Sequence, residues 1–367
     1  MLKNYFKFAF RNLLRHKGFS IINIAGLSIG MACSILIMLW VNNELSYDRF
    51  HANASQLYRL TCNAGDFKAA VNPAGMPIGL KAEMPVIQNF VRLSHLSTNL
   101  FETGTRKFEE RRVFYVDSNF LQVFSFPLLS GDRKTALDRP DGVLITKAMA
   151  TKYFGKENAM GKLLKKDNGQ NIIVTGILEN TPPNSHLQFD FILPMSSIAA
   201  TTNDLQKNVW DNFNFYTYLQ LNKTFNPTPA ALAALEKQIN TIYKKHVNEA
   251  ELKVEFQLQP LTDIHLHSNL QVDLPGHGNA LYVKIFFIVA IFILVVASIN
   301  FMNLATARSA RRSKEVGLRK VVGAGRSQLI LQFLGESLLI AFLALVLAFG
   351  IVLLFLPAFN NISEKAL

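Results

Sequence analysis

Three uncharged apolar runs dominate the pattern of hydrophobic and polar positions. Ile21 to Asn42 contains 22 residues without a charge, which as a helix covers about 33 Å and matches a hydrocarbon core of roughly 30 Å. Ile285 to Ala305 is equally uncharged, and twenty uncharged residues run from Ser337 to Leu356 before Pro357. Each predicts a membrane-spanning helix. The first run is too long for the apolar core of a cleaved signal, and Gly30 stands three before Cys33 where a lipoprotein signal needs an aliphatic residue. The chain therefore divides into an arm at 1–20, a first span at 21–42, a large domain at 43–283, a second span at 284–307, a loop at 308–328, a third span at 329–357 and a tail at 358–367. Three spans make few helices for a bundle that buries its inner faces, so the expectation is part of a longer protein.

Between the first two spans the pattern changes. β-rich or alternating stretches occur at 56–62, 107–117, 170–178, 213–221 and 251–259, and helical patterns at 77–84, 118–124, 146–155 and 229–247, the last with Pro229 near its start. The prediction is an α+β domain in two lobes, large enough for its own cores.

In the arm, Lys3, Lys7, Arg11 and Arg15 recur every four positions, and Leu2, Phe6, Phe10 and Leu13 or Leu14 form a separate stripe. That is an amphipathic helix suited to the inner-leaflet interface, an elbow before the first span. Within that span Gly26, Gly30 and Ser34 follow small-xxx-small spacing, which lets another helix backbone approach closely, so these three are candidate helix-packing residues. Asn300 and Asn303 read as interhelical hydrogen-bonding groups, and Glu336 as a carboxylate near the membrane interface beside Arg326 or Lys320.

Charge orients the spans. The chain carries 38 Lys+Arg against 26 Asp+Glu, a net +12, but residues 1–20 supply +5 and residues 308–326 supply +6, leaving +1 for all the rest. Both basic blocks flank apolar runs, the pattern of cytoplasmic loops, so a nucleic-acid partner is not expected. The N-terminus and the 308–328 loop are then cytoplasmic, and residues 43–283 extracytoplasmic. Half the residues are hydrophobic and 17% charged, which excludes disordered and collagen-like classes.

Candidate catalytic chemistry is sparse. GKENAMGK at 155–162 has five residues between its glycines and Leu163 after the lysine, which does not meet the nucleotide-binding pattern. His265 and His267 alternate along an expected strand end without a neighbouring cysteine or carboxylate cluster, and no disulfide is expected between Cys33 and Cys62. No cofactor, metal or catalytic residue is assigned.

The remaining signal lies in the loop, where Val316, Leu318, Val321 and Val322 interleave with Lys and Arg among Gly317, Gly323 and Gly325. A charged anchor needs no such apolar pattern, so the loop is expected to touch an intracellular partner. Here the segment Lys314-Glu315-Val316-Gly317-Leu318-Arg319-Lys320-Val321-Val322-Gly323-Ala324 resembles the mark of the MacB/FtsX-like ABC transporter permeases. The resemblance extends to FRNLLRHKGFSIINIAGLSIGMA, NNELSYDRFHANASQLYRL, VDSNFLQVFSFPLLSGD, VLITKAMATKYFGKENAMGK and VTGILENTPPNSHLQFDF. It implies a multi-pass permease of the bacterial inner membrane with a periplasmic core domain and a separate ABC ATPase docking on Glu315, Val316, Gly317, Leu318, Arg319, Lys320, Gly323 and Ala324. It also implies pairing with a second permease half or a homodimer copy, with a periplasmic adaptor as a further partner. ATP use would drive motion of the outer domain for efflux, export or envelope work. The alternative is a membrane-anchored sensor, which would continue its second span into a signalling helix; this chain returns to an apolar run after about thirty residues.

Overall fold

The computed structural model describes residues 17–247, 253–311, 317–318, 321–322, 325–365 and 367. The expected elbow helix at 1–16 lies outside them. The chain forms two compact units, Ser46–Asn279 and the helices on either side of it in sequence.

The helical unit contains α1 (Lys17–Leu45), and after the intervening domain α5 (Ala280–Arg311) and α6 (Arg326–Ser363). All three are long and apolar enough to cross a membrane. α1 packs against both of the others. Ala32, Ala348 and Val352 form one buried contact, and Leu339 and Ile340 form another with Ile24, Phe301 and Leu343. Trp40 meets Phe286 edge to face at 5.1 Å. Outward faces stay apolar, as at Phe292 (66% exposed) and Leu338 (74% exposed), an arrangement that suits lipid and not water. The sequence pattern placed the end of the third span at Pro357, yet α6 continues through it to Ser363. Proline deletes one intrahelical hydrogen bond and need not end a membrane helix.

The other unit is built on one thirteen-stranded sheet. Its strands are β1 (Leu57–Ala64), β2 (Phe67–Ala69), β3 (Val71–Pro73), β4 (Ile87–Leu93), β5 (Ser97–Thr103), β6 (Arg106–Val116) and β7 (Leu128–Gly131). They continue as β8 (Gly142–Thr146), β9 (Leu163–Lys166), β10 (Gln170–Leu178), β11 (Phe191–Pro194), β12 (Phe213–Leu221) and β13 (Glu255–Pro260). The longer helices are α2 (Met76–Glu83), α3 (Lys147–Phe154) and α4 (Pro229–His246).

The sheet runs β11-β8-β10-β9-β5-β6-β4-β12-β1-β13, and β11 also pairs in parallel with β6. Strands β6, β11, β8, β10, β9 and β5 thus close into a six-stranded barrel, which removes their free edges. Alternate residues point inward, giving a core of Phe101, Val113, Val143, Ile145, Leu164, Ile172, Val174, Phe191 and Leu193. Phe101 and Phe191 stack there at 4.1 Å. Intervening residues Phe114, Leu144 and Ile192 point outward into a second core shared with β1, β4, β12, β13, α2 and α4. The domain therefore has two lobes with a core each.

Local sequence explains the punctuation. Thr228 caps α4 by accepting from the Ala231 N–H at 3.2 Å, with Pro229 in the first turn. Asp167 and Asn168 take φ of 48° and 60° in the β9–β10 hairpin, the left-handed pair that a tight turn requires. β13 pairs with β1, and its other edge is met by α4: Asn240 and Glu236 accept from the N–H groups of Phe256 and Leu258, both at 2.8 Å.

Candidate coupling elements

The predicted docking segment is described only in part. Glu315, Val316, Arg319, Lys320, Gly323 and Ala324 lie outside the described residues. Gly317 and Leu318 are helical and exposed, and the Val322 N–H donates to the Leu318 carbonyl at 3.1 Å. Leu318, Val321 and Val322 are 70%, 87% and 83% exposed, so these three apolar side chains are open to solvent.

The three small residues of α1 face α5. A Cβ built on Gly30 would lie 2.5 Å from the Cβ of Ala297, and one on Gly26 would lie 3.4 Å from the Asn300 Nδ2. Ser34 donates to the Ala290 carbonyl at 2.9 Å. One turn apart on a helix, the three positions form a stripe that admits a neighbouring backbone, and the hydroxyl adds one interhelical bond. Asn23 and Glu336 are both buried in the same unit.

In the sheet unit two groups of buried polar side chains lie beside the segments that continue into α1 and α5. Ser46 to His51 follow α1. Asp48 adopts φ 58°, which turns its N–H to the Asn184 carbonyl at 2.9 Å. Its carboxylate accepts from the Ser185 hydroxyl at 3.0 Å and the His186 N–H at 3.1 Å, and lies 2.8 Å from His186 Nδ1. Burial pushes Asp48 upward, but His186 and His51 outweigh it and hold the carboxyl below its usual range. On the far side of the imidazole, Nε2 is 2.7 Å from the Tyr218 hydroxyl. Burial raises the Tyr218 pKa. His51 accepts from the Ser125 N–H at 3.0 Å, and the Ala52 N–H donates back to the Ser125 hydroxyl at 2.9 Å. Burial against Phe50, Phe124 and Phe126 pulls His51 down to about 4, so it is neutral at pH 7.

A second group surrounds the segment before α5. Arg59 is fully buried and donates to Asp273 Oδ1 at 2.5 Å, to Asp273 Oδ2 at 3.0 Å, to Gln259 at 2.6 Å and to Ser268 at 2.9 Å. Ser268 donates to the same carboxylate, and His277 Nε2 is 3.0 Å from it. Burial raises Asp273, but the His277 hydrogen bond and the Arg59 charge prevail and hold it well below the usual carboxylate range. The two groups meet, because Arg59 and Tyr218 are cross-strand partners in the β1–β12 ladder. His265, expected at a strand end, instead lies in a helical turn at Ile264–His267, where its ring stacks on Tyr47 at 3.3 Å.

Sequence reasoning did not find this network. Its members are far apart in the chain, and the one available signal was that Asp48, His51 and Asn184-Ser185-His186 fall within two of the segments that carry the family resemblance.

Comparison with known proteins gives the context. Residues 20–241 match the family described as MacB-like periplasmic core domain, and residues 287–367 match the FtsX-like permease C-terminal family. The chain is 25% identical over 355 residues to the pyoverdine export ATP-binding/permease protein PvdT of Pseudomonas fluorescens, covering 91% of this chain and 49% of that protein. It thus spans about half the length of that relative. It is 22% identical over 357 residues to the uncharacterized ABC transporter permease YknZ of Bacillus subtilis, covering 94% of this chain and 84% of that one. Among solved structures, a domain of a putative permease protein from Porphyromonas gingivalis superimposes with a TM-score of 0.48 at 20% identity, covering 61% of this chain and 95% of that domain.

Proposed function

Because the chain belongs to the MacB-like and FtsX-like family of ABC transporter permeases, we propose that it couples ATP hydrolysis by a separate ATPase to movement of its large domain. The observation that carries this reading is the arrangement along the chain. A core domain is inserted between two apolar helices, and a short basic loop with the segment Lys314 to Ala324 connects the second to the third. In this reading residues 1–20 and 308–328 face the cytoplasm and the domain lies outside the inner membrane. The exposed Leu318, Val321 and Val322, with Arg319 and Lys320 between them, are the docking surface for the ATPase: the apolar side chains fill a partner groove and the cations fix its orientation. A second permease half completes the assembly, and the small-residue stripe of Gly26, Gly30 and Ser34 holds α1 against α5 while the helices move.

Charge reversal tests the docking. In the Arg319→Glu/Lys320→Glu variant, co-purification of the ATPase and stimulated ATP hydrolysis should both fall at least tenfold; if both persist, the loop is not the docking surface. Labelling of single cysteines from outside intact cells should reach the exposed hairpin at Asn168 and leave Arg312 unmodified. The reverse pattern would overturn the orientation.

A further inference from the structure

Ser46 directly follows the last residue of α1 and Asn279 directly precedes the first residue of α5. The covalent path between helices and domain therefore runs through the two segments that the buried polar groups hold. Building on the proposed function, we propose that the chain of contacts Asp48–His186–Tyr218–Arg59–Asp273 is the joint that transfers displacement of these segments into the domain.

The two halves hold different connections of the domain, the Asp48 half from within the second core, where Phe50, Phe124, Phe126, Leu187 and Phe189 pack. The Asp48 half grips residues 184–186, which connect the barrel strands β10 and β11, and His51 grips Ser125 in the connection between β6 and β7. Movement of the segment after α1 is thereby applied to those connections. The Arg59 half ties Ser268, Asp273 and, through Asp273, His277 to β1. Neighbouring main-chain bonds from Ala70 N–H to the Val272 carbonyl and from Gln271 N–H to the Lys68 carbonyl, at 2.9 and 2.8 Å, add to that attachment. Movement of the segment before α5 is applied to β1. The Arg59 and Tyr218 cross-strand pair makes the two halves one path.

The chemistry suits force transfer better than mere stability. Buried ion pairs often add no net stability over apolar packing, because desolvation offsets their attraction. They do fix geometry, since a directional charge-assisted bond resists sliding where an apolar contact would repack. Apolar cores already surround both sites, so the polar path contributes register and stiffness.

The test uses the full chain with its co-purified ATPase in lipid nanodiscs, with Cys33 and Cys62 replaced by alanine. Nitroxide labels are placed at Thr105→Cys, on the exposed β5–β6 hairpin of the barrel, and Gln238→Cys, on the exposed face of α4. Their separation is measured by pulsed dipolar spectroscopy without nucleotide and with ATP plus vanadate. The parent should change its distance distribution on trapping. In Asp48→Asn the change should be at least halved, with the nucleotide-free distribution unchanged and ATP hydrolysis within twofold of the parent. A full-sized change in Asp48→Asn overturns the joint, and so does a displaced nucleotide-free distribution, which marks a purely structural role. Should Asp48→Asn fail to fold, Tyr218→Phe removes only the hydroxyl at the middle of the path and is judged by the same criteria. If an active ATPase co-purifies but the parent shows no change, the joint has nothing to transfer and is wrong. If no ATPase associates with the parent at all, the proposed function itself fails.

Discussion

Gly30 of α1 sits so close to Ala297 of α5 that a side-chain carbon added to it would come within 2.5 Å of the alanine methyl. Contact at that range leaves no room for relaxation by rotamer change, because both atoms are Cβ. Gly30→Leu should therefore destabilise the helical unit by about 1–3 kcal/mol through overpacking, whereas Ser34→Ala, which loses one interhelical hydrogen bond, should cost about 0.6 kcal/mol. Thermal unfolding in detergent micelles should show the glycine variant melting well below the serine variant. Equal melting temperatures would place the two helices farther apart than described.

Arg59 and Asp273 are each close to fully buried, with side-chain exposures of 0% and 5%. Arg59→Met strands a carboxylate in the interior and should cost about 3–5 kcal/mol. Converting both partners, Arg59→Met with Asp273→Leu, should lose less than Arg59→Met alone, since neither charge is then left uncompensated. Denaturant unfolding of the four members of the cycle measures the coupling.

His51 makes the domain acid-sensitive. Its pKa is about 6.5 unfolded and about 4 in the folded chain, so the unfolded state binds more protons between those values. Stability is complete above pH 6.5 and falls as the pH drops towards 4, by about 3 kcal/mol across the window. The groups facing the ring are Asp48 and His186. Asp48 and Asp273, both held below their ordinary 3.8, add losses only at still lower pH. His95, also lowered by burial, acts in the same direction. His51→Asn should flatten the slope between pH 6.5 and 4.5 without abolishing it, as followed by chemical unfolding at a series of pH values.

Trp210 lies across the start of α2, where a Cβ on Gly79 would meet its indole at 2.6 Å, and it stacks on His246 at 3.9 Å. Gly79→Val should expel the indole. With Trp40→Phe as background, Trp210 emission should shift to longer wavelength and lose its protection from a soluble quencher.

The parts of the fold legible in the sequence are those with a local period. The three apolar runs needed only length and absence of charge, and β10, β12 and α4 announce themselves through alternation, β-branched content or a Thr-Pro start. Other elements lack such signals. β5, reading STNLFET, is polar and half-buried, and β11 is four fully buried residues too short to show a period. His265 and His267 alternate as a strand would, yet the Ile264 and His265 side chains are buried together in one helical turn. The Asp48–His186 contact joins residues 138 apart by sequence separation, and no pattern in a window of ordinary length reports such a pairing.

The closed ring of strands in the outer domain has a consequence for biosynthesis. β11 is the last of the six to be made, and it completes the circle by lying parallel to β6 and antiparallel to β8. Until Phe191–Pro194 has emerged, β6 and β8 each lack a neighbour, and the nascent polypeptide presents two sticky borders at once. A premature stop anywhere before Phe191 should consequently leave the membrane-anchored fragment aggregated, whereas a break in the loop after Pro194 would leave the ring able to shut.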